Sequence, residues 1–227
     1  LYANAAQTPD IRLVGTADQS ISGTGIIHDL DIQKPSGDVL MLDDLELTDG
    51  ELMGSGALKN SGGILKAITG SDLATYEFDF TGTIDELEIA TANTVNFQQD
   101  LTITGDVTIT NLEFLRHISN SALLVHGNFI TNDADYNYVS VSQTADIRLV
   151  GTTDQSISGT GVIHDLDIQK PSGDVLMLDD LELTDGELMG SGSLKNSGGI
   201  LKVITGSDLT SYCLLYTSPS PRDPKIS

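Results

Sequence analysis

Residues 11–73 recur as residues 147–209 at an offset of 136, and only four of the 63 positions differ: Ala17 against Thr153, Ile26 against Val162, Ala57 against Ser193, and Ala67 against Val203. Each difference is a small change of bulk or polarity, so whatever one copy builds the other must build as well. Self-similarity at a fixed period is the mark of architectures in which one unit stacks on the next. The likeness continues loosely to Tyr76 against Tyr212 and then breaks, with Glu77-Phe78-Asp79-Phe80 in one copy and Cys213-Leu214-Leu215-Tyr216 in the other.

A finer period lies inside the unit. Leu45-Glu46-Leu47-Thr48-Asp49-Gly50-Glu51-Leu52-Met53 resembles Leu101-Thr102-Ile103-Thr104-Gly105-Asp106-Val107-Thr108-Ile109, and both resemble the stretch from Leu123 to Ile130. Each reads as an alternating strand, a glycine-containing corner and a second alternating strand. Alternation places Leu45, Leu47, Leu101 and Ile103 on one face and Glu46 and Thr102 on the other, the pattern of a half-buried strand. Short strands and corners recurring about every 20–22 residues predict an all-β chain folded as a right-handed parallel β-helix, a β-solenoid. Tandem β-sandwich domains are the alternative. The run Val139-Ser140-Val141-Ser142-Gln143 continues in strand pattern toward Ile147-Arg148-Leu149-Val150, with no linker between the copies, which favours the solenoid. The expected organisation is a first repeat unit with its lead-in over 1–146, a partial second unit over 147–212 that continues the same solenoid, and a tail over 213–227.

Composition agrees with many short strands. Hydrophobic residues make up 39% of the chain, too many for a disordered acidic tail, while aromatic residues are 5% and tryptophan is absent. Glycine and Asp-Gly supply the positive-φ positions that tight turns need. The formal net charge of −22 repels phosphate backbones and anionic lipid, which excludes nucleic-acid partners. No apolar run has the length of a membrane-spanning helix. The single cysteine, Cys213, excludes a disulfide framework and a cysteine metal site.

The candidate chemistry is sparse. Gly23-Thr24-Gly25 and Gly54-Ser55-Gly56 neither complete a dinucleotide fingerprint nor lead into a helix, so they read as turns. His28, His117, His126 and His164 form no metal spacing and are expected on surfaces or turns. Carboxylates cluster at Asp43, Asp44, Glu46, Asp49 and Glu51 and again at Asp179, Asp180, Glu182, Asp185 and Glu187. Polysaccharide lyases also line a face with acids, but they need a Lys or Arg base beside them, and a catalytic groove has no reason to be copied at every repeat. No catalytic residue is therefore assigned. Asp133-Ala134-Asp135-Tyr136-Asn137 carries a D-x-D-x-N spacing that presents oxygens to Ca²⁺, so Asp133, Asp135 and Asn137 are the candidate metal ligands. Tyr138 stands where a calcium loop has its glycine.

The series Asp18-Gln19-Ser20-Ile21-Ser22-Gly23, Leu30-Asp31-Ile32, Val39-Leu40-Met41, Leu45-Glu46-Leu47 and Gly50-Glu51-Leu52 resembles the adhesin-like repeat proteins of the Bacteroidetes-type bacterial cell surface. That resemblance covers nearly all of residues 11–212 and transfers no binding residue. It implies export, an extracellular or cell-surface location, and a non-enzymatic structural or adhesive shaft whose partner is a surface ligand or polysaccharide. The alternative is an exported carbohydrate-active or carbohydrate-binding β-helix protein. The text Cys213-Leu214-Leu215-Tyr216-Thr217-Ser218-Pro219-Ser220-Pro221-Arg222-Asp223 resembles a translated sequencing adaptor, so 213–227 is expected to be non-native and the chain a piece of a longer protein.

Overall fold

A computed structural model describes residues 11–48, 52–60, 62–68, 75–90, 94–112, 114–117, 121–132, 147–184 and 188–204. Asp133, Asp135, Asn137 and the 213–227 tail lie outside the described residues. Among those described there are strands and turns and no helix, and every strand pair is parallel. The chain winds as a β-solenoid of about 8 turns.

Each coil has three sides. The first carries Ile11–Val14, Leu30–Gln33, the start of Leu52–Asn60, the start of Thr75–Ile84, Thr94–Phe97 and Phe114–His117. The second carries Gln19–Ile21, Asp38–Met41, the ends of the same two long strands, Leu101–Ile103, Leu123–Val125, Ile147–Leu149, Leu166–Ile168 and Leu188–Gly190. The two long strands run round the corner and join both sides into one 13-stranded sheet. The third side is a 9-stranded sheet from Ile26–Ile27 to Ser193–Asn196. Val162–Ile163, Leu181–Thr184 and Leu201–Ile204 form a three-stranded sheet that closes the later coils.

Alternation fills the interior. One inward column runs Leu45, Leu65, Leu87, Val107, Phe129, Ile157 and Met177, all buried and each paired with the next. Each fully buried side chain of this kind contributes about 1.5–3 kcal/mol relative to exposure, so the axial stack is the main source of stability. Phe78 stacks on Phe97 at 5.1 Å between ring centroids, and Phe97 on His117 at 5.3 Å, giving an aromatic ladder inside the coils. Gly54 and its copy Gly190 have φ of 125° and 111°, and a Cβ at either would lie 2.3 Å from the carbonyl oxygen of Ile32 or Ile168 one coil away. Only glycine meets both conditions there.

The expected coil length holds in outline. Paired strands are separated by 19 to 28 residues, and the largest steps, 52 to 78 and 129 to 157, span chain that includes 69–74 and 133–146, outside the described residues. Equivalent positions within the stack are buried in both copies, as Leu45 with Leu181 and Ile32 with Ile168 show. Strand pairing runs across the copy junction, Leu123–Val125 with Ile147–Leu149 and Phe129–Asn132 with Gln155–Ser158.

Candidate functional site

The conspicuous chemistry is carboxylate, and most of the described aspartates reach along the solenoid axis. Asp18 Oδ1 accepts the Asp38 N–H at 2.9 Å, Asp43 Oδ2 the Gly23 N–H at 2.8 Å, and Asp44 Oδ1 the Ile64 N–H at 3.0 Å. The second copy repeats the set, with Asp154 on Asp174 at 2.9 Å, Asp179 on Gly159 at 2.8 Å and Asp180 on Ile200 at 2.9 Å. Asp100 and Asp106 do the same for Ala122 at 2.9 Å and Asn128 at 2.7 Å. A strand that ends at a corner leaves N–H groups without a ladder partner, and a short acidic side chain one coil away satisfies them. Asp43 and Asp44, with their copies Asp179 and Asp180, are therefore corner clamps between coils. Asp49, Glu51, Asp185 and Glu187 lie outside the described residues.

Cations are tied to the same frame. Lys66 Nζ lies 2.8 Å from Asp44 Oδ2, Lys59 Nζ 2.6 Å from Asp38 Oδ2, and Lys202 Nζ 3.0 Å from Asp180 Oδ2, while Lys195 pairs with Asp174. The Lys66 hydrogen bond, helped by the Ile64 N–H, holds the Asp44 carboxyl below its ordinary pKa and raises that of Lys66 in return. Lys195 and Lys202 lower Asp174 and Asp180 by the same means. These pairs are exposed and salt-screened, so they organise the surface more than they stabilise it.

Two further lysines are buried, and nothing in the sequence marks them. Lys34 Nζ donates to the Ala17 carbonyl at 2.5 Å and to Gln19 Oε1 at 3.1 Å. Lys170, its copy, donates to the Thr153 carbonyl at 2.7 Å and to Gln155 Oε1. Burial lowers the Lys170 pKa, against the pull of Asp154 and Asp174. Gln155 Nε2 in turn donates to the Val125 carbonyl at 2.9 Å and to that of Gly127. The result is a chain of contacts from one coil through a glutamine to a lysine in the next.

Buried acids accompany them. Asp31 is 2% exposed and lies 2.9 Å from Arg12 Nε; its copy Asp167 is 5% exposed, lies 3.3 Å from Arg148 Nε and accepts from Gln169. The strand pattern puts Asp31 on the outer side between Leu30 and Ile32, so its burial comes from axial neighbours, Arg12 on one strand and Met53 on the next. The histidine expectation needs correcting. His28 and His126 are exposed, but His117 and His164 are buried. His117 sits on the inward side of its strand against Phe97, and burial lowers its pKa to about 3; His164 Nδ1 lies 3.3 Å from Asp165 Oδ2.

A shallow depression of about 260 Å³ on the third side is lined by Ile64, Glu86, Leu87, Glu88, Asp106 and Thr108. Asp106 is engaged by Asn128, and Lys66 pairs in register with Glu88 on the adjacent strand. No cluster of three or more His, Cys, Asp or Glu able to hold a metal occurs among the described residues, and none of their helices could cross a membrane, since they have none. Phe78, Phe80, Phe97 and Phe129 are all buried, so these rings are not available to stack on a sugar. The chain matches no family model, no curated protein and no solved structure.

Proposed function

We propose that this chain is a stretch of non-enzymatic shaft, structural or adhesive, from a large secreted or cell-surface bacterial repeat protein. The observation that carries the reading is the use of the duplicated aspartates: Asp18, Asp43 and Asp44, and their copies Asp154, Asp179 and Asp180, clamp one coil to the next. A catalytic pair would converge on a substrate groove. The strand pairing that crosses the copy junction adds to it, because a shaft grows by the same stacking that holds each copy together. The secreted or surface location rests on the resemblance of the Gln19–Gly23 and Leu45–Leu47 series to adhesin-like repeats. An unspecified surface ligand or polysaccharide is the partner of the adhesive form.

The test has two arms on the full chain. Incubation with acidic and neutral polysaccharides should release no reducing ends and no unsaturated products, and turnover would overturn the reading. Beads carrying the chain should be retained on polysaccharide-coated surfaces if the shaft is adhesive. Failure of retention on every coating removes the adhesive role and leaves the structural one.

A further inference from the structure

The two copies are nearly identical in sequence, yet they do not occupy the same sides of the solenoid. Ile11–Val14 and Leu30–Gln33 lie on the first side, while their copies Ile147–Leu149 and Leu166–Ile168 continue the second-side column after Leu123–Val125. Asp38–Met41 lies on the second side, and its copy Asp174–Met177 on the third, in the 9-stranded sheet. Leu45–Thr48 belongs to that 9-stranded sheet, and its copy Leu181–Thr184 to the separate three-stranded one. Every described strand of the second copy is displaced by one side in the same sense. Within each copy the pairing is preserved: Ile11 with Leu30 and Leu30 with Leu52 become Ile147 with Leu166 and Leu166 with Leu188.

Counting sides gives the reason. Ile11 is on the first side, one side before Gln19–Ile21, and Ile147–Leu149 is the sixth strand beyond Gln19–Ile21 in the second-side column, so the 136-residue offset spans six and one-third coils. We infer that the repeat is cut to a non-integral number of coils, so that each copy presents its outer surface a third of a turn round the axis from the copy before it. Three units would close the phase after nineteen whole coils. The use assigned to this geometry rests on the shaft reading: surfaces repeated once per unit face three directions in succession, and a shaft made this way engages partners all round instead of along one stripe.

The charge distribution supplies a physical advantage. Asp43 and Asp44 stand at the corner between the second and third sides, and their copies Asp179 and Asp180 follow Met177 at the next corner round. With a net charge of −22, acidic corners aligned along one edge would add their repulsion, and rotation by a third of a turn spreads them.

Spin-label distances test the phase directly, in the full chain carrying Cys213→Ser. Lys59 and Lys195 are equivalent, exposed positions on different sides, whereas Glu86 is exposed and shares the third side with Lys195. At a rise of ~4.8 Å per coil, Glu86→Cys and Lys195→Cys are five coils apart on one side, at roughly 24 Å. Lys59→Cys and Lys195→Cys are separated by roughly 30 Å along the axis plus a displacement across the prism of about 20 Å, hence by about 36 Å. The Lys59 pair should therefore be the longer. A Lys59 pair equal to or shorter than the Glu86 pair would place the copies in phase and overturn the inference. A second set guards against a label that disturbs the Lys59–Asp38 pair: Thr16→Cys with Thr152→Cys should be longer than Leu42→Cys with Thr152→Cys. A shaft without this phase would fail here while still showing no turnover, so the two readings fail separately.

Discussion

The first coil of one copy and the same residues of the other differ in a way that sequence identity does not foretell. Ile11 is 39% exposed and Ile147 is fully buried; Gln19 is half-buried and Gln155 is 2% exposed; His28 is exposed and His164 is buried. The side chains are the same, and what differs among the described residues is the strand beside them. Ile147 has Leu123 beside it in register, and Gln155 has the carbonyls of Val125 and Gly127 to bind. A residue in this chain is thus buried by its axial neighbour more than by its own strand. Stability should accordingly behave as a sum of coil-to-coil interfaces, as in other solenoids.

The largest test of that comparison is a pair of truncations. Ile147→Ala should cost about 2–5 kcal/mol by opening a cavity in a closed stack, and Ile11→Ala under about 1 kcal/mol because its side chain is already partly in water. Urea unfolding of the two variants measures both; equal losses would mean that the preceding coil does not matter. Next in size is the glutamine bridge. Gln155→Ala removes the acceptor of Lys170 and the donor to two carbonyls in a buried place, for about 1–3 kcal/mol, and Gln19→Ala should cost less. A reversal of that order would contradict the role given to the bridge.

The aromatic ladder sharpens the comparison through pH. The His117 pKa lies near 3 in the folded chain against an ordinary 6.5, so its contribution is complete above pH 6.5 and is lost as pH falls below it. Between pH 6.5 and 5 the unfolded chain binds a proton that the folded one refuses, which lowers the unfolding free energy by up to ~1.4 kcal/mol per pH unit. His117→Phe, which extends the Phe78–Phe97 stack, should flatten that part of the profile. An unchanged slope would show that another group carries it. The smallest effect is ionic. Millimolar Ca²⁺ should raise the melting temperature slightly more than monovalent salt at the same ionic strength, because a cation held by the folded acidic corners stabilises by mass action. A rise equal to that of the monovalent salt removes Ca²⁺ from the account.

Much of the coil was legible in the residues. The alternation of Leu45 with Leu47 and of Leu101 with Ile103 named inward positions that are buried, and the near-continuous strand text at the copy junction pointed to stacking without a linker. The three-sided phase was not legible, because coils differ in length and the local motifs do not say which side they occupy. Leu45-Glu46-Leu47 and Leu101-Thr102-Ile103 look alike yet sit on the third and second sides. Lys34 and Asp31 were illegible for a related reason: their partners stand about a coil away, as Ala17, Gln19 and Arg12 show for the first copy, and a short window holds no trace of them. The acids at Asp43 and Asp44 drew attention as a cluster, and only the neighbouring coils reveal that each one points at a backbone N–H.

Amide hydrogen exchange at the copy junction tests the continuous solenoid most directly. The Val150 N–H donates to the Val125 carbonyl at 2.9 Å and the Gly161 N–H to the Thr131 carbonyl at 2.9 Å, both bonds passing from one copy to the other. Thr104, whose N–H reaches the Ile84 carbonyl at 2.8 Å, is the reference within one copy. Continuous stacking predicts protection of Val150 and Gly161 comparable with that of Thr104. Fast exchange at both junction amides with Thr104 protected would mean separate domains on a string, and would contradict the account.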